Sequence, residues 1–417
     1  MKILHVNYFD QFSGTGKAVS RLCRALQRTK SAECEMLVMN KNSDCDWIKQ
    51  VPYPSRLGPL LAQRISARIA ALQRDTNPAG RSLALFGSGR VLDIINSSDA
   101  DVVHLHWICG EMLNIRQITQ IRKPAVWTMH DNWTFCGAEH YMNPLCEDNR
   151  SKSGYTAESR SPLAKGIDID AFTYRRKLKA NWHDLPFLFS APSQWLADAF
   201  TRSFLFHDIP CEVIPNALDT DIFQTGNRQA ARKKFAVPEG KFTLLFGAQD
   251  ANSPLKGGSV LMESLNLLAG KVSQDKIHVL LFGKNTKVLT KNCSFPFTDL
   301  QIIEGDHDMA SLYSAADVFI LPSLADNMPY TAVEALACGT PVVAFRIGGL
   351  PEIVEHKVNG FLAEPFKPDS LTEGILYVMN NRMQLSAAAR KNIHPQFSEV
   401  SVAEQYTALY RKVLEKC

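Results

Sequence analysis

Residues 322–349, PSLADNMPYTAVEALACGTPVVAFRIGG, decide the fold of this chain. The apolar run Asp317–Leu321 precedes the loop in this stretch, and a second apolar run, Pro341–Phe345, falls near its end. The order strand, loop, helix, strand predicts that the loop and the helix start lie at the carboxyl edge of a parallel sheet. Open α/β sheets bind ligands at that edge. A helix N-terminus there offers amide groups and a positive dipole, which predicts a phosphate site.

Two acids in this stretch, Asp326 and Glu334, stand eight positions apart. Asp326 belongs to the loop and is expected to face whatever lies beyond the phosphates. Glu334 lies about one turn into the helix, where its carboxylate can accept hydrogen bonds from a ribose diol, as acids do in dinucleotide-binding folds. The alternative interpretation is an ordinary strand–helix unit with a capping acid.

Length and composition indicate a globular protein with more than one domain. A chain of 417 residues predicts two to three domains, because a single core rarely grows beyond about 250–300 residues. The net charge of +4 is too small to indicate a nucleic-acid partner. No run of 18 apolar residues predicts a membrane span, and the start, MKILHVNYFD, predicts a strand instead of a secretion signal. Ten cysteines without a C-x-x-C pair favour reduced, mostly buried thiols in a cytoplasmic protein.

Short apolar runs alternate with helical patterns in both halves, which predicts βαβ units and parallel sheets. The predicted strands are Lys2–Asn7, Glu35–Met39, Asp101–His106, Ala125–Met129, Pro186–Ser190, Glu212–Ile214, Phe242–Gly247, Ile277–Gly283, Leu300–Glu304, Asp317–Leu321 and Pro341–Phe345. The predicted helices include Lys17–Gln27, Ser82–Asn96 and the amphipathic Ser398–Glu415. Residues 131–168 break the rhythm, and so long an irregular stretch predicts a functional or mobile loop.

Two further candidate sites follow strands of the first half. Gly14 and Gly16 come between the first strand and a helix, where their amides could approach a ligand; a plain tight turn explains them equally well. His130 ends another strand, directly before Asp131. The alternative for this pair is a core histidine with a capping neighbour.

Histidines and cysteines of the first half raise the question of a metal site. His104 and His106 alternate along one predicted strand and therefore share a face. This spacing suits a metal ion, but no third ligand is obvious, so we interpret the pair as one strand face near the site. Cys136 and Cys146 have no fixed partners, which argues against zinc at these cysteines.

In the second half, Lys256 precedes Gly257 and Gly258 after a predicted strand. A lysine beside two glycines at a strand end is a candidate phosphate ligand, and a solvated surface lysine is the alternative. Gly348 and Gly349 form a second loop that can approach a ligand closely.

The Asp326–Glu334 spacing, followed by ALACGTPVVA, resembles the acid-x7-acid signature of the retaining family-4 glycosyltransferases, in which the first acid is usually Glu. The HDNW string at 130–133 is similar to the subgroup that builds bacterial exopolysaccharides and O-antigens, of the colanic-acid type. The resemblance implies the α/β GT-B fold, with two Rossmann-like, doubly wound parallel-sheet domains facing a cleft. It assigns residues 1–214 to an acceptor-side domain, 215–395 to a nucleotide-sugar-binding domain, and 396–417 to a helix that returns to the first domain.

The same resemblance implies retaining, metal-independent transfer of a hexose from a UDP- or GDP-sugar to a saccharide acceptor that is polyprenyl-diphosphate-linked. In that reaction His130 and Asp326 are catalytic, while Lys256 binds the diphosphate and Glu334 the ribose. Relatives usually carry an Arg near this lysine, and this chain does not. The other donor-binding residues are expected to be Gly14, Gly16, Asn327, Met328, Tyr330, Gly283 and Lys284. Unlike the metal-dependent GT-A transferases, the chain has no Asp-x-Asp triplet directly after a hydrophobic strand, so no metal and no cofactor are expected.

Residues 56–74 carry leucines and isoleucines on one helical face, and Arg56, Arg64, Arg68 and Arg74 lie off that face. A core-facing helix with a solvated rim and a basic amphipathic helix on an anionic membrane explain this pattern about equally well. We therefore expect a cytoplasmic protein that also contacts the inner face of the plasma membrane peripherally. A sugar-nucleotide epimerase or sugar phosphorylase of the GT-B fold, and a non-catalytic sugar-nucleotide-binding protein, are the alternatives.

Overall fold

The computed structural model describes residues 1–11, 13–53, 57–144, 150–291, 293–393 and 395–416. Arg56 and Cys146 therefore lie outside the described residues. The chain divides into two compact units, Leu218–Ser398 and a first unit that combines Met1–Ala217 with Glu399–Cys417.

The first unit contains a seven-stranded sheet in the order β3-β2-β1-β5-β6-β8-β9, in which all neighbours are parallel. A separate antiparallel pair joins β4 to β7. The strands are β1 Lys2–Phe9, β2 Glu33–Asn40, β3 Ile48–Gln50, β4 Gln73–Arg74, β5 Val102–Leu105, β6 Ala125–Thr128, β7 Lys165–Gly166, β8 Phe187–Ala191 and β9 Cys211–Val213. The helices are α1 Gly14–Arg28, α2 Leu57–Ala70, α3 Gly89–Ser97, α4 Ile115–Ile118, α5 Arg150–Ser153, α6 Ile169–Leu178 and α7 Gln194–Thr201.

The second unit contains a six-stranded, fully parallel sheet in the order β12-β11-β10-β13-β14-β15. Its strands are β10 Phe242–Asp250, β11 Ile277–Lys284, β12 Phe297–Asp299, β13 Val318–Leu321, β14 Val342–Phe345 and β15 Gly360–Ala363. Its helices are α8 Arg228–Lys234, α9 Gly258–Ala269, α10 Lys287–Thr290, α11 Asp306–Ala315, α12 Tyr330–Ala337 and α13 Pro368–Ile393. The chain then closes with α14, Glu399–Lys416, which belongs to the first unit.

Each large sheet is buried on both faces, because consecutive residues of its strands enter different apolar clusters. In β1, Leu4 belongs to one cluster and Ile3 to another. In β10, Leu245 and Leu244 likewise belong to two different clusters. Strands buried on both faces read as nearly continuous apolar runs, and this is why most of them were recognisable in the sequence.

Two predicted elements are wrong. The helix predicted at Ser82–Asn96 begins only at Gly89, where the Ser88 hydroxyl accepts a hydrogen bond from the Val91 amide. The preceding residues are irregular instead, with Ala84 at a positive φ of 48°, and Arg176 donates hydrogen bonds to the carbonyl groups of Leu83 and Ala84. The strand predicted at Leu300–Glu304 lies earlier in the chain, at Phe297–Asp299. Gln301, inside the predicted range, adopts a positive φ of 55°.

The first part of the irregular stretch 131–168 is also packed more tightly than predicted, since residues 132–139 are all buried. The buried ammonium group of Lys177 in α6 organises them. It donates to the carbonyl groups of Cys136 and Gly137 at 2.9 and 2.8 Å, and to that of Trp133. A buried charge needs this number of partners, so this turn is a fixed part of the core.

Helix α14 packs on the face of the first sheet that α1 also covers, and polar bonds fix its register. The Tyr410 hydroxyl lies 2.8 Å from Nδ1 of His104, and the Tyr406 hydroxyl lies 3.1 Å from Oγ1 of Thr128. Both histidine and tyrosine of the first pair are fully buried. Among the described residues, no helix is long and apolar enough to span a membrane.

Replacing Tyr410 with Phe would remove the hydroxyl and leave a buried nitrogen of His104 without its partner. We expect the Tyr410→Phe variant to lose about 1–3 kcal/mol of unfolding free energy, the usual cost of an unsatisfied buried polar group. Urea denaturation of the variant and the wild type measures this loss. Tyr377→Phe, at a partly exposed position in α13, is the control and should change stability by less than about 0.5 kcal/mol. Equal effects in both variants would contradict the importance of the His104 bond.

Candidate functional site

Three loops meet at the carboxyl edge of the second sheet, following β10, β13 and β14. Gly257 adopts φ +67°, and a Cβ atom there would lie 1.8 Å from the Pro322 carbonyl oxygen. Gly348 adopts φ +54°, and its Cβ atom would lie 1.8 Å from the Asp326 carbonyl oxygen. Only glycine fits at both positions, so the glycines bring the backbones of the three loops into contact.

The structure brings Lys256 and Asp326 together at this point. Nζ of Lys256 lies 2.7 Å from Oδ2 of Asp326, and the Ser323 hydroxyl donates to the same oxygen at 3.2 Å. Asp326 is buried and Lys256 is partly exposed. The sequence analysis assigned Lys256 to diphosphate binding and Asp326 to catalysis, in separate loops. It did not predict their direct ion pair.

Glu334 lies in the same αβ unit as Asp326 and is almost fully buried. Its Oε2 accepts a hydrogen bond of 2.9 Å from the Tyr313 hydroxyl in α11. Of the residues predicted around the start of α12, Asn327 is buried, Tyr330 is partly buried, and the Met328 side chain packs in the apolar cluster. Any ligand contact of Met328 would therefore involve its backbone.

Two helices begin at this edge without a side-chain oxygen at the N-cap position. Gly257 occupies the N-cap of α9, and Pro329 occupies that of α12. The first amides of a helix carry partial positive charge. Gly257 directly follows Lys256 in the chain, and Pro329 lies shortly after Asp326, which is the ion-pair partner of Lys256. Two helix N-termini beside a lysine form an arrangement that can bind a phosphate or diphosphate.

The other predicted donor-binding residue pair of the second unit, Gly283 and Lys284, ends strand β11. A Cβ atom on Gly283 would lie 1.8 Å from the Ala248 carbonyl oxygen, where β10 carries a bulge. Lys284 is exposed at the same carboxyl edge. Both residues thus lie on the edge that carries Lys256 and Asp326.

Gly14 and Gly16 lie in the first turn of α1 in the first unit, not in a loop before it. The Gly16 amide donates to the Ser13 hydroxyl at 2.9 Å and thereby caps the helix. A Cβ atom on Gly16 would lie 1.8 Å from the Asp10 carbonyl oxygen. Gly16 is therefore needed for the close packing of this helix start, whereas Gly14 has open space around it.

His130 lies at the carboxyl end of β6, and its Nε2 is 3.1 Å from Nδ1 of His106. Burial lowers the pKa of His130 to about 4, so the ring is uncharged at neutral pH. The neighbouring Asp131 caps the short turn 132–134 and also binds the rings of His140 and Trp107. Burial by itself would raise the pKa of the Asp131 carboxyl group, but the His140 ring lowers it overall.

Sequence reasoning missed His5, which lies on the strand next to His104 and His106. Its Nδ1 is 3.1 Å from Nε2 of His106, so three imidazoles form a chain from His5 through His106 to His130. The register of β1 and β5 pairs His5 with His104. The alternation of polar residues in the first strand was visible in the sequence. The sequence did not show that β5, which carries His104, lies beside this strand in the sheet.

Both units match models of known protein families. The model of Glycosyltransferase Family 4 matches residues 12–222, half of the chain, and the model of Glycosyl transferases group 1 matches residues 227–394. The D-inositol 3-phosphate glycosyltransferase of Geodermatophilus obscurus is 32% identical over 217 residues, which cover 49% of this chain and 48% of that protein. The MMP alpha-(1->4)-mannosyltransferase of Mycolicibacterium hassiacum is 26% identical over 327 residues, covering 76% of this chain and 72% of that protein.

The chain spans about half the length of the inositol-phosphate relative it matches. The crystal structure of Anabaena HepE in complex with UDP and glucose aligns with 99% of this chain and 100% of its own, with a TM-score of 0.66 and 18% identity. This likeness confirms the predicted GT-B fold. Because the first family model covers half of the chain, the chain belongs to glycosyltransferase family 4.

Proposed function

We propose that this protein transfers a hexose from a nucleotide-sugar to a saccharide acceptor, with retention at the anomeric carbon. The observation that carries the proposal is the Lys256–Asp326 ion pair, which joins the loops that lead into α9 and α12, together with Glu334 inside α12. This set offers a cation and helix dipoles for a diphosphate, and carboxylates for sugar hydroxyl groups.

Each residue has a separate role in the proposal. Lys256 and the N-termini of α9 and α12 bind the diphosphate, Glu334 binds the ribose, and Asp326 binds hydroxyl groups of the transferred sugar. Gly283 and Lys284 lie near the nucleotide base. His130 is the other catalytic residue of the proposal, and its pKa of about 4 keeps the imidazole uncharged at physiological pH.

In the proposed reaction the bond between the anomeric carbon and the diphosphate oxygen breaks while the acceptor oxygen bonds to the same face of that carbon. The leaving diphosphate oxygen takes the proton of the acceptor hydroxyl group. Fixed dipoles and the Lys256 ammonium group stabilise the charge that develops on the diphosphate, which is the usual electrostatic contribution to catalysis. No divalent ion and no cofactor are needed in this scheme.

The similar proteins support a nucleotide-sugar donor. Structures of Anabaena HepE hold UDP, UDP with glucose, or UDP-glucose. A UDP-sugar is therefore the first donor to test, with a GDP-sugar second. The HDNW string at 130–133 supports exopolysaccharide or O-antigen synthesis, with a polyprenyl-diphosphate-linked acceptor.

The decisive experiment incubates the protein with UDP-, GDP- and ADP-sugars, with and without a polyprenyl-diphosphate-linked saccharide. We expect transfer and nucleotide release only with the acceptor, and an α-linked product from an α-linked donor by NMR. Glu334→Gln should reduce transfer at least about tenfold, because bonds to charged groups contribute about 1.5–3 kcal/mol. Glu373→Gln, at an exposed position of α13, is the control. Conversion of the donor without acceptor would indicate an epimerase, and binding without any conversion would indicate a non-catalytic protein.

The Lys256–Asp326 pair gives a second prediction. Lys256→Met should weaken binding of the nucleotide-sugar about 10- to 100-fold, because it removes one charge-assisted contact to the diphosphate. Asp326→Asn removes the carboxylate that shares the ammonium group, so binding should persist while transfer falls. Calorimetry and initial rates measure the two effects separately. Lys271→Met, an exposed lysine after α9, should bind as the wild type does. Unchanged affinity in Lys256→Met would contradict the proposed diphosphate contact.

We also propose that α2 contacts an anionic membrane surface. The interpretation as a core-facing helix is wrong for its leucines, since Leu57, Leu60 and Leu61 are 76%, 47% and 59% exposed. Leu72 after the helix is also exposed, and Leu163 and Ile167 flank the strand β7 that pairs with β4. Arg64, Arg68 and Arg74 are exposed beside these apolar side chains. Exposed leucines bordered by arginines are typical of a helix that lies in a lipid interface.

Vesicle flotation tests this contact. Vesicles rich in phosphatidylglycerol should float the wild-type protein, and vesicles of phosphatidylcholine alone should not. Leu57→Asp combined with Leu61→Asp should reduce flotation more than about tenfold, because each buried leucine contributes about 1.5–3 kcal/mol. Met383→Asp, on an equally exposed residue of α13, is the control. Equal flotation of the two variants would exclude α2 as the contact.

A further inference from the structure

A group of histidines and cysteines lies inside the first unit, on the sheet face covered by α1 and α14. His5 comes from β1, Cys34 from β2 and Cys23 from α1. All three are buried, with at most 2% exposure. One ring nitrogen of His5 and the two sulfur atoms lie within 4.8 Å of one another. None of these three side chains is among the catalytic or donor-binding residues proposed above.

The imidazole of His5 has one satisfied nitrogen and one that is not. Nδ1 lies 3.1 Å from Nε2 of His106. Nε2 is buried and makes no well-formed hydrogen bond within the described part of the chain, and the weakly bonding thiol of Cys34 is its polar neighbour. Strands β5 and β2 flank β1 on opposite sides, so His106 and Cys34 approach the ring from opposite sides. A buried nitrogen without a partner costs about 1–3 kcal/mol and requires an explanation.

A second group, His5 with His104 and His106, also has ligand atoms within 4.8 Å. In that group, however, both ring nitrogens of His104 and of His106 already have partners. His104 is bonded to Tyr410 and Thr128 at 2.8 and 2.7 Å, and His106 is bonded to His5 and His130. A metal ion there would break these bonds, whereas an ion between His5 Nε2 and the thiols would leave all of them in place.

We propose that His5, Cys23 and Cys34 bind a Zn²⁺ ion. Thiolate and imidazole are the ligands that zinc prefers, with Zn–S and Zn–N distances of about 2.3 and 2.0–2.1 Å. Tetrahedral geometry then places the ligand atoms about 3.3–3.8 Å apart, which needs only a small contraction of the observed group. Two thiolates and a neutral imidazole cancel the charge of Zn²⁺, which suits a buried site. Three protein ligands with water in the fourth position is the coordination that catalytic zinc sites use, whereas purely structural sites have four protein ligands.

The ion would have two effects on the first unit. It would link α1 to both β1 and β2 across the apolar cluster that they share. It would also fix the tautomers of the imidazole chain, because a metal on Nε2 of His5 requires the proton on Nδ1. His5 then donates to His106, and His106 donates to Nε2 of His130. This is the usual arrangement of a metal-binding histidine with its hydrogen-bond partner.

The test measures the metal content of the full, untagged chain, produced with Zn²⁺ in the medium and dialysed against EDTA. We expect about one zinc ion per chain for the wild type and at least about tenfold less for Cys34→Ser and Cys23→Ser. Cys109→Ser is the matched control, since Cys109 is equally buried in another cluster of the same unit. Its zinc content should equal that of the wild type.

A second measurement does not depend on the variants being folded. The wild-type chain produced with Co²⁺ in place of Zn²⁺ should show the near-ultraviolet charge-transfer absorption of cobalt bound to thiolates. The proposal is overturned if the wild type binds neither ion, if Cys34→Ser keeps its zinc, or if mass spectrometry of the purified chain shows a Cys23–Cys34 disulfide.

Discussion

Parallel pairing of strands that are buried on both faces is the constraint on which the rest of this structure depends. Such strands must run in one direction and must be joined by helices that cover the faces. The loops that follow the strands therefore all meet at one edge of each sheet. In the second unit this edge holds Lys256, Asp326 and the starts of α9 and α12. In the first unit it holds His130.

The two units differ in the charge of the side chains at these edges. In the second unit, a partly exposed ion pair and two helix dipoles concentrate charge where an anion can bind. In the first unit, burial lowers the pKa of His106 and of His130, so that both rings are uncharged at neutral pH. A neutral ring can accept and donate hydrogen bonds without attracting counter-charge, so the two edges differ in the chemistry that they offer.

The face of the first sheet under α1 and α14 carries a row of buried polar groups beside an apolar cluster. His104 and Thr128 bond to tyrosines of α14, and His5 and Cys34 lie beneath α1. Buried polar groups are favourable only when their bonds are satisfied. The tyrosines satisfy one end of this row, and the proposed zinc ion would satisfy the other. The tyrosines of this row tie α14 to the sheet, and the proposed zinc ion would tie α1 to the same sheet.

The sequence by itself determined the parallel α/β class, most strands, and the edge positions of His130, Asp326 and Glu334. These depend on local signals: apolar runs, helix periodicity, and the spacing between neighbouring residues. Only the tertiary structure decided that Lys256 pairs with Asp326, that His5 joins His106, and that Lys177 holds residues 132–139 in the core. Those contacts depend on which strands become neighbours, and periodicity along one strand carries no information about the strand that will lie beside it.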